Sequence, residues 1–443
     1  MKYNYCVIFC VCFMFCGCST NKKQKMSVKE TDTVSTIHLS DNVIEVSQLP
    51  LSEAVAKVET VPLEMTDESI VASIDKIHVT DSDIWIKHYK DERILRFSRS
   101  GKFLNLVGKI GQGPDEYIRL FDFNVDEKQK EVYIISILNG VKVYDFEGNY
   151  KRRMNNVRID DLILAHSGQF VFFDQSVFIS QNLCMQKPIS NPKDSLWSIA
   201  LSDSAFHKEK IFKNPAHIGK EELLVEHRSK PESFDIVNYW TENYLTAIDT
   251  YNNELTLKYP DTDTVYLYDA KQKDFIPQYS IFTKEEKGDY ELTHLWIKDR
   301  KAFSYFTITN YYPTKDYIYL IANKGEDIYT YCYNKKDGTV RCQIQESKIV
   351  ERKLPWFSQP HLYLPRPFIL KDDLIGGNFT VDHRSYGKYW IDVLEPNDEE
   401  YEMKIEEVKT LSVKDNLWRE RFVGAIENMD EDSNPILVIA TLK

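Results

Sequence analysis

After its first twenty residues this 443-residue sequence has no second apolar run long enough to cross a bilayer, which takes roughly 20 residues. Cysteine is also scarce where it would matter. Of eight cysteines, five stand within the first 18 residues, leaving Cys184, Cys332 and Cys342 for the rest of the chain, which excludes a disulfide scaffold. Positive charge is in deficit: 56 Lys and Arg against 68 Asp and Glu give −12. The basic residues are scattered rather than striped, so nucleic acid is excluded as a partner on electrostatic grounds. No His-Glu-x-x-His, no Gly-x-Ser-x-Gly and no Gly-Lys-Ser/Thr ending occurs, and no Cys-x-x-Cys follows the first 18 residues. Asp261-Thr262-Asp263 lacks the glycine and downstream glutamate of a calcium loop, so neither a metal nor a cofactor is implied.

What is present begins at the amino terminus. Lys2 precedes an apolar stretch, Tyr5 to Phe15, of signal-peptide length, too short to span a bilayer. Phe15-Cys16-Gly17-Cys18 resembles a lipobox, with Phe in place of the usual Leu. The resemblance implies cleavage after residue 17 and a membrane anchor through lipid on Cys18; several acyl chains hold firmly where one does not. Residues 18–36 are polar and lack aromatics, a composition that cannot bury enough apolar surface to fold, so they read as a flexible tether. Ser19-Thr20-Asn21-Lys22-Lys23 lacks the acidic pair associated with surface export. The expected address is therefore the outer membrane, on its periplasmic face rather than the cell surface.

From residue 37 onward the chain repeats itself, and a fixed period is the mark of propellers and solenoids. Ile84-Trp85-Ile86, Ile94-Leu95-Arg96-Phe97, a turn ending at Gly101 and Lys102-Phe103-Leu104 are echoed by Val132-Tyr133-Ile134, Val141-Lys142-Val143-Tyr144, a turn ending at Gly148 and Asn149-Tyr150-Lys151. The two turn glycines are 47 residues apart. An inner strand precedes each copy (Ile77 and Val79; Phe123 and Val125), and the pattern is one of short strands with period-two alternation. Weaker copies at 162–174 with 197–212, 244–282, 317–344 and 368–394 bring the number to about six. Long inter-strand loops at 214–234 and 351–367 are places where function gathers. The spacing of Leu417, Trp418, Phe422, Val423 and Ile426 predicts one amphipathic helix within 412–429. A terminal apolar strand, 435–442, suits a ring whose two chain ends meet in one blade. The expected fold is all-β, a six-bladed β-propeller spanning 37–443.

The lipobox, Ile94-Leu95-Arg96-Phe97 with Ser100-Gly101-Lys102-Phe103, the segment Gly108-Lys109-Ile110-Gly111-Gln112-Gly113-Pro114-Asp115-Glu116-Tyr117 and the strand entry Asp263-Thr264-Val265-Tyr266 together resemble the six-bladed, NHL-like β-propeller lipoproteins of Bacteroidota. Asp115 stands where such proteins often carry Gly. The resemblance implies a fold and a cell-envelope address but no common activity, and no catalytic residue carries over.

Within the most specific segment, Gly111, Gly113 and Pro114 are turn chemistry, and Asp115 and Glu116 can cap backbone amides. A rigid inter-blade loop accounts for them. The functional alternative puts Asp115, Glu116 and Tyr117 at a channel mouth, holding a cation or a sugar hydroxyl. Asp382-His383-Arg384 and His361 carry the residue types of a site assembled from several blades. A three-residue hairpin loop, Lys336-Asp337-Gly338, would set Cys332 opposite Cys342, within reach of a cross-strand disulfide or as two small strand residues that stay reduced.

Two functions fit. The favoured one is a non-catalytic binding or scaffolding module, presenting aromatic-bearing loops such as Tyr311-Tyr312-Pro313 and Trp356-Phe357 to a glycan, peptide or envelope protein. The alternative is a polysaccharide hydrolase or lyase with acid and base drawn from different blades.

Overall fold

The computed structural model describes residues 34–443 except 89–90, 137–138, 155–169, 174–175, 181–198, 220–246, 260–261, 288–302, 353–360, 366, 386, 397–404 and 407. The expected lipidation site, Cys18, and most of the expected tether at 18–36 lie outside the described residues. Those described form six antiparallel blades. Blade 1 runs Ile74–Val79, Asp83–His88, Ile94–Ser98, Phe103–Leu106. Blade 2 follows as Leu120–Asp126, Glu131–Ser136, Gly140–Asp145, Tyr150–Met154, and blade 3 as Phe170–Phe173, Ser176–Ser180, Ile199–Ser202, Lys208–Phe212. Blade 4 comprises Ala247–Tyr251, Glu254–Lys258, Thr264–Asp269 and Asp274–Phe282. Blade 5 comprises Thr307–Pro313, Tyr317–Lys324, Asp327–Asn334 and Val340–Glu346.

Blade 6 joins the two ends of the chain. His383–Ser385, Tyr389–Leu394 and Ile436–Leu442 are completed by Val55–Pro62 as the outermost strand, with Glu59 opposite Ile439 and Val61 opposite Leu437. Leu437 and Ile439 are fully buried, so closing the ring also fills the core between blades 6 and 1. Ahead of that strand, Ser35–His38 pairs parallel to the outer strand of blade 4, and Ile44–Glu45 pairs parallel to that of blade 5. Residues 35–62 therefore run as a belt over the outer edges of three consecutive blades. A helix, Asn416–Glu427, is capped by Asp415, whose carboxylate accepts from Trp418 N at 3.0 Å. Its Phe422 and Ile426 pack into the core cluster that includes Val55 and Val58 of the closing strand.

The middle strands do not alternate. Asp83–His88 and Glu131–Ser136 are buried at every position, because a blade is covered on both faces by its neighbours and the period-two rule for half-exposed sheets no longer applies. The repeated glycines have a packing cause. Gly101 (φ +86°) and Gly148 (φ +86°) sit in the left-handed region, and a Cβ there would lie 2.0 Å from Pro62 O and 2.3 Å from Leu106 O respectively. Each is the point where the third-to-fourth turn of one blade touches the outer strand of the blade before it. Gly101 O accepts from Glu64 N at 2.8 Å, and Gly148 O accepts from Gly108 N at 3.2 Å. Arg96 secures the same seam between blades 1 and 2. It bonds Asp83 at 2.9 Å and Phe146 O at 2.9 Å, and its guanidinium lies 5.1 Å from both the Trp85 and the Phe146 rings.

The register expected from a three-residue hairpin loop, with Cys332 opposite Cys342, is corrected. The hairpin loop has four residues, Lys335 to Gly338, with Asn334 N bonded to Thr339 O at 2.9 Å. One extra residue shifts the register by one, so Cys332 faces Arg341 and Cys342 faces Tyr331. Adjacent positions along a strand point to opposite sheet faces, and the two thiols are free and buried in different core clusters. Burial pushes them up to about 11 and about 12.

Gly101→Ala should cost at least about 1–2 kcal/mol from the left-handed backbone alone, with a further loss from the contact with Pro62 O. Equilibrium urea unfolding compared with Ser100→Ala, one residue away, checks this.

Candidate functional site: the turn face of the ring

In a four-strand meander the first-to-second and third-to-fourth turns share one end of the blade, while the second-to-third turn and the exit to the next blade share the other. The propeller thus has a turn face and a crossing face. On the turn face a cleft of about 720 Å³ opens between blades 2 and 3, lined among others by Asn124, Glu127, Glu131, Tyr133, Arg152 and Phe172. A second cavity of about 240 Å³ lies between blades 4 and 5 on the same face.

Glu131 is the electrostatic centre of the larger cleft. It is the first residue of a buried strand, and the outer strand of its blade places two cations against it. Arg152 binds it at 2.5 and 2.7 Å through two parallel bonds, Lys151 at 2.6 Å, and the Tyr133 hydroxyl donates to it at 2.9 Å. The Arg152 guanidinium outweighs the cost of burial and holds the Glu131 carboxyl down to about 2. Such bidentate, charge-assisted pairs are the strong class of hydrogen bond. Rings of Tyr133 and Phe172 meet at 5.0 Å and supply an apolar wall beside it. Asp126 is occupied with its own turn, accepting from the amides of Lys128 and Gln129 at 3.0 Å. The Glu127 carboxyl is raised, first by burial and then by the charges of Asp81, Asp83 and Asp126, with Lys388 opposing.

Around the axis the inner strands are joined by ion pairs between blades. Lys76 of blade 1 meets Asp122 of blade 2 at 2.8 Å. Arg384 of blade 6 reaches Asp249 of blade 4 at 2.8 Å and donates to Tyr311 O of blade 5 at 3.1 Å, with the Tyr312 ring 5.0 Å away. Burial raises the Asp249 carboxyl while Arg384 pulls it back. His78 is pushed down to about 3 and His383 to about 4, both by burial, so both are neutral at pH 7. Among the described residues no group of three or more His, Cys, Asp or Glu is arranged to hold a metal.

The segment singled out at 111–117 lies on the crossing face, away from both cavities. Gly111 N bonds Tyr117 O at 3.0 Å, Tyr117 N bonds Lys109 O at 2.9 Å, and the Glu116 carboxylate turns inward to accept from Gly113 N at 2.9 Å. A Cβ at Gly111 would stand 1.9 Å from that carboxylate, which accounts for the glycine. The Lys142 ammonium enters the loop from below and donates to the carbonyls of Pro114, at 3.0 Å, and Glu116. Tyr144 caps Asp115 O at 2.9 Å. Tyr117 is buried, its hydroxyl on Glu92 O at 3.1 Å. Of the acidic pair, only Asp115 stays exposed. Asp382-His383-Arg384 is not brought together as a site: neighbouring side chains leave opposite faces of the strand, Arg384 towards blade 5 and His383 towards the charge of Asp75 in blade 1. Asp382 accepts from Val393 N at 3.0 Å. The side chain of His361 lies outside the described residues. Glu131, Arg152 and Lys335 were not distinguishable in the sequence; the Lys151-Arg152-Arg153 run was visible, but its pairing with Glu131 is a property of the blade.

Glu131→Gln should lower stability by about 1–3 kcal/mol at pH 7, the usual worth of hydrogen bonds to a charged group. Because the folded carboxyl titrates below the ordinary 4.5, its contribution is present above that value and is lost as pH falls through about 4.5 to about 2. Denaturation curves of wild type and variant should therefore converge across that acid window.

The fold is shared with a solved structure of low sequence identity. A Bacteroides fragilis protein named as exported is 14% identical, with a TM-score of 0.57 over 93% of this chain and 100% of its own. A member of the DUF4221 family from Bacteroides vulgatus is 11% identical, with a TM-score of 0.42 over 70% of this chain and 95% of its own. No curated protein matches the chain. Residues 34–441 match the family described as "Domain of unknown function (DUF4934)", and the chain, from the first strand of the belt to the last strand of blade 6, belongs to the DUF4934 family.

Proposed function

We propose that this protein is a lipid-anchored cell-envelope propeller that binds a glycan, without turning it over, in the cleft between blades 2 and 3. The observation that carries this reading is the composition of the cleft: a volume of about 720 Å³ with aromatic rings beside amide, hydroxyl and charged groups, on a rigid frame. That size suits several sugar rings. Hydrolysis by the usual route needs one carboxylic acid and one free carboxylate, and here Glu131 is locked to Arg152 and Lys151 while Asp126 serves its turn amides.

A polysaccharide hydrolase or lyase is the second reading. It is favoured by Glu127, whose raised carboxyl at the cleft has the character of a general acid. It ranks second because the neighbouring acids are engaged.

Anchoring rests on the lipobox-like Phe15-Cys16-Gly17-Cys18 and on two accompanying facts. A protein of the same fold is named as exported, and no helix among the described residues is long and apolar enough to cross a membrane. The partner class, the outer membrane and its periplasmic face are part of the same proposal.

Glycan-array binding of the full-length protein should identify polysaccharide ligands, and Phe172→Ala should weaken them about tenfold, the loss of one stacking contact, at a temperature where the variant, somewhat destabilised by the lost packing on Tyr133, is still fully folded. An array with no ligand would sink the cleft reading, whereas a ligand consumed over time and spared by Glu127→Gln would turn it into the enzyme. Cys18→Ser should move the protein from the membrane fraction to the soluble one. Protease added to intact cells should leave the wild type whole, and its removal would put it on the surface instead.

A further inference from the structure

The smaller cavity, between blades 4 and 5, is lined by more basic than acidic side chains, the reverse of the larger cleft. It is lined by Glu254, Gln278, Tyr279, Tyr311, Lys315 and Lys335, with Tyr251 and Thr256 behind them. Lys335 begins the third-to-fourth turn of blade 5 and is only partly exposed. Its ammonium donates to Thr314 O at 2.5 Å, and it makes no ion pair among the described residues. An ammonium carries three donors, and a partly buried cation whose hydrogen-bond partner is a neutral carbonyl is under-compensated. Burial pushes Lys335 down, opposed by the more distant charges of Glu254 and Asp316. Lys315 adds a second positive charge at the exposed lip.

The remaining groups narrow the ligand. Tyr279 is half-buried and gives the cavity an apolar wall, with the fully buried Tyr311 packed behind it. Gln278 offers a neutral donor and acceptor, Thr256 is buried and donates to Asp249 O, and Glu254, exposed at the mouth, is a strong acceptor for hydroxyl groups and an obstacle to a multiply charged anion. A volume of about 240 Å³ is below that of drug-sized pockets, about 300–1,000 Å³, and holds one ring rather than a chain. The Tyr251 hydroxyl is already committed to Lys443 O and closes the floor.

We propose that this cavity binds a single acidic sugar of the uronic acid kind, with the Lys335 ammonium as counter-ion to its carboxylate, the Tyr279 ring against its carbon face, and Glu254 accepting from its hydroxyls. The site is separate from the cleft between blades 2 and 3 and does not depend on that cleft's ligand.

Titration calorimetry of the full-length protein with D-glucuronate and with D-glucose tests it. Glucuronate should bind with Kd of about 1 mM or tighter and glucose at least about tenfold more weakly. Lys335→Met, which keeps the apolar stem, should lose at least tenfold in glucuronate affinity, while Phe172→Ala in the larger cleft should change nothing. Equal binding of the two sugars, no glucuronate binding, or unchanged affinity in a natively melting Lys335→Met protein would each overturn the proposal. If Lys335→Met does not fold, the comparison of the two sugars on the wild type decides alone.

Discussion

A ring of blades is stable only if its first and last sheets meet, since otherwise two blade faces and their apolar side chains stand in water. Here that constraint falls on one antiparallel pairing, Val55–Pro62 against Ile436–Leu442, between segments nearly at opposite ends of the chain. The entropy of bringing them together grows only logarithmically with the length between them, so a single well-buried strand pair can fasten the whole circle. The seam between blades 4 and 5 depends on it too, because Arg384 of the closing blade is the side chain that bonds both Asp249 of blade 4 and Tyr311 O of blade 5.

The belt ahead of the closing strand extends the same device. Parallel additions at blades 4 and 5, followed by the closing strand of blade 6, cover three consecutive outer edges that would otherwise offer unpaired amides to other chains. Blade 2 manages its open edge differently: Tyr150–Met154 is exposed and carries Lys151, Arg152 and Arg153, and charge on an edge strand discourages sheet-to-sheet association. Arg152 and Lys151 reach back to Glu131, so one strand both guards the edge and builds the wall of the larger cleft.

The two cavities share a face because all first-to-second turns lie there. Their chemistry differs by what each blade contributes. In the larger cleft the acid is matched by more than one cation; in the smaller one a lysine faces a carbonyl. The loop at 111–117, by contrast, spends its polar groups on itself, with Glu116 on an amide and its carbonyls on Lys142. Most conspicuous in the sequence, it serves as a joint between blades.

The blade repeat, the turn glycines, the strand that closes the ring and the small number of cysteines could be read from residues alone, because each is a local pattern: period, turn chemistry, apolar run. Gly101 and Gly148 announced a turn, though not the carbonyls of the preceding blade that require them. A one-residue difference in hairpin length was beyond local pattern and sent Cys332 and Cys342 to opposite faces. The N-terminal belt was invisible for a similar reason: Ser35–His38 and Ile44–Glu45 are too short to signal strands and are held by partners more than 200 residues away. From local pattern alone the residues specify a β-repeat chain; only the tertiary structure decided which carboxylates are neutralised, since a pair such as Arg384 and Asp249 joins two blades and exists only once the ring has closed.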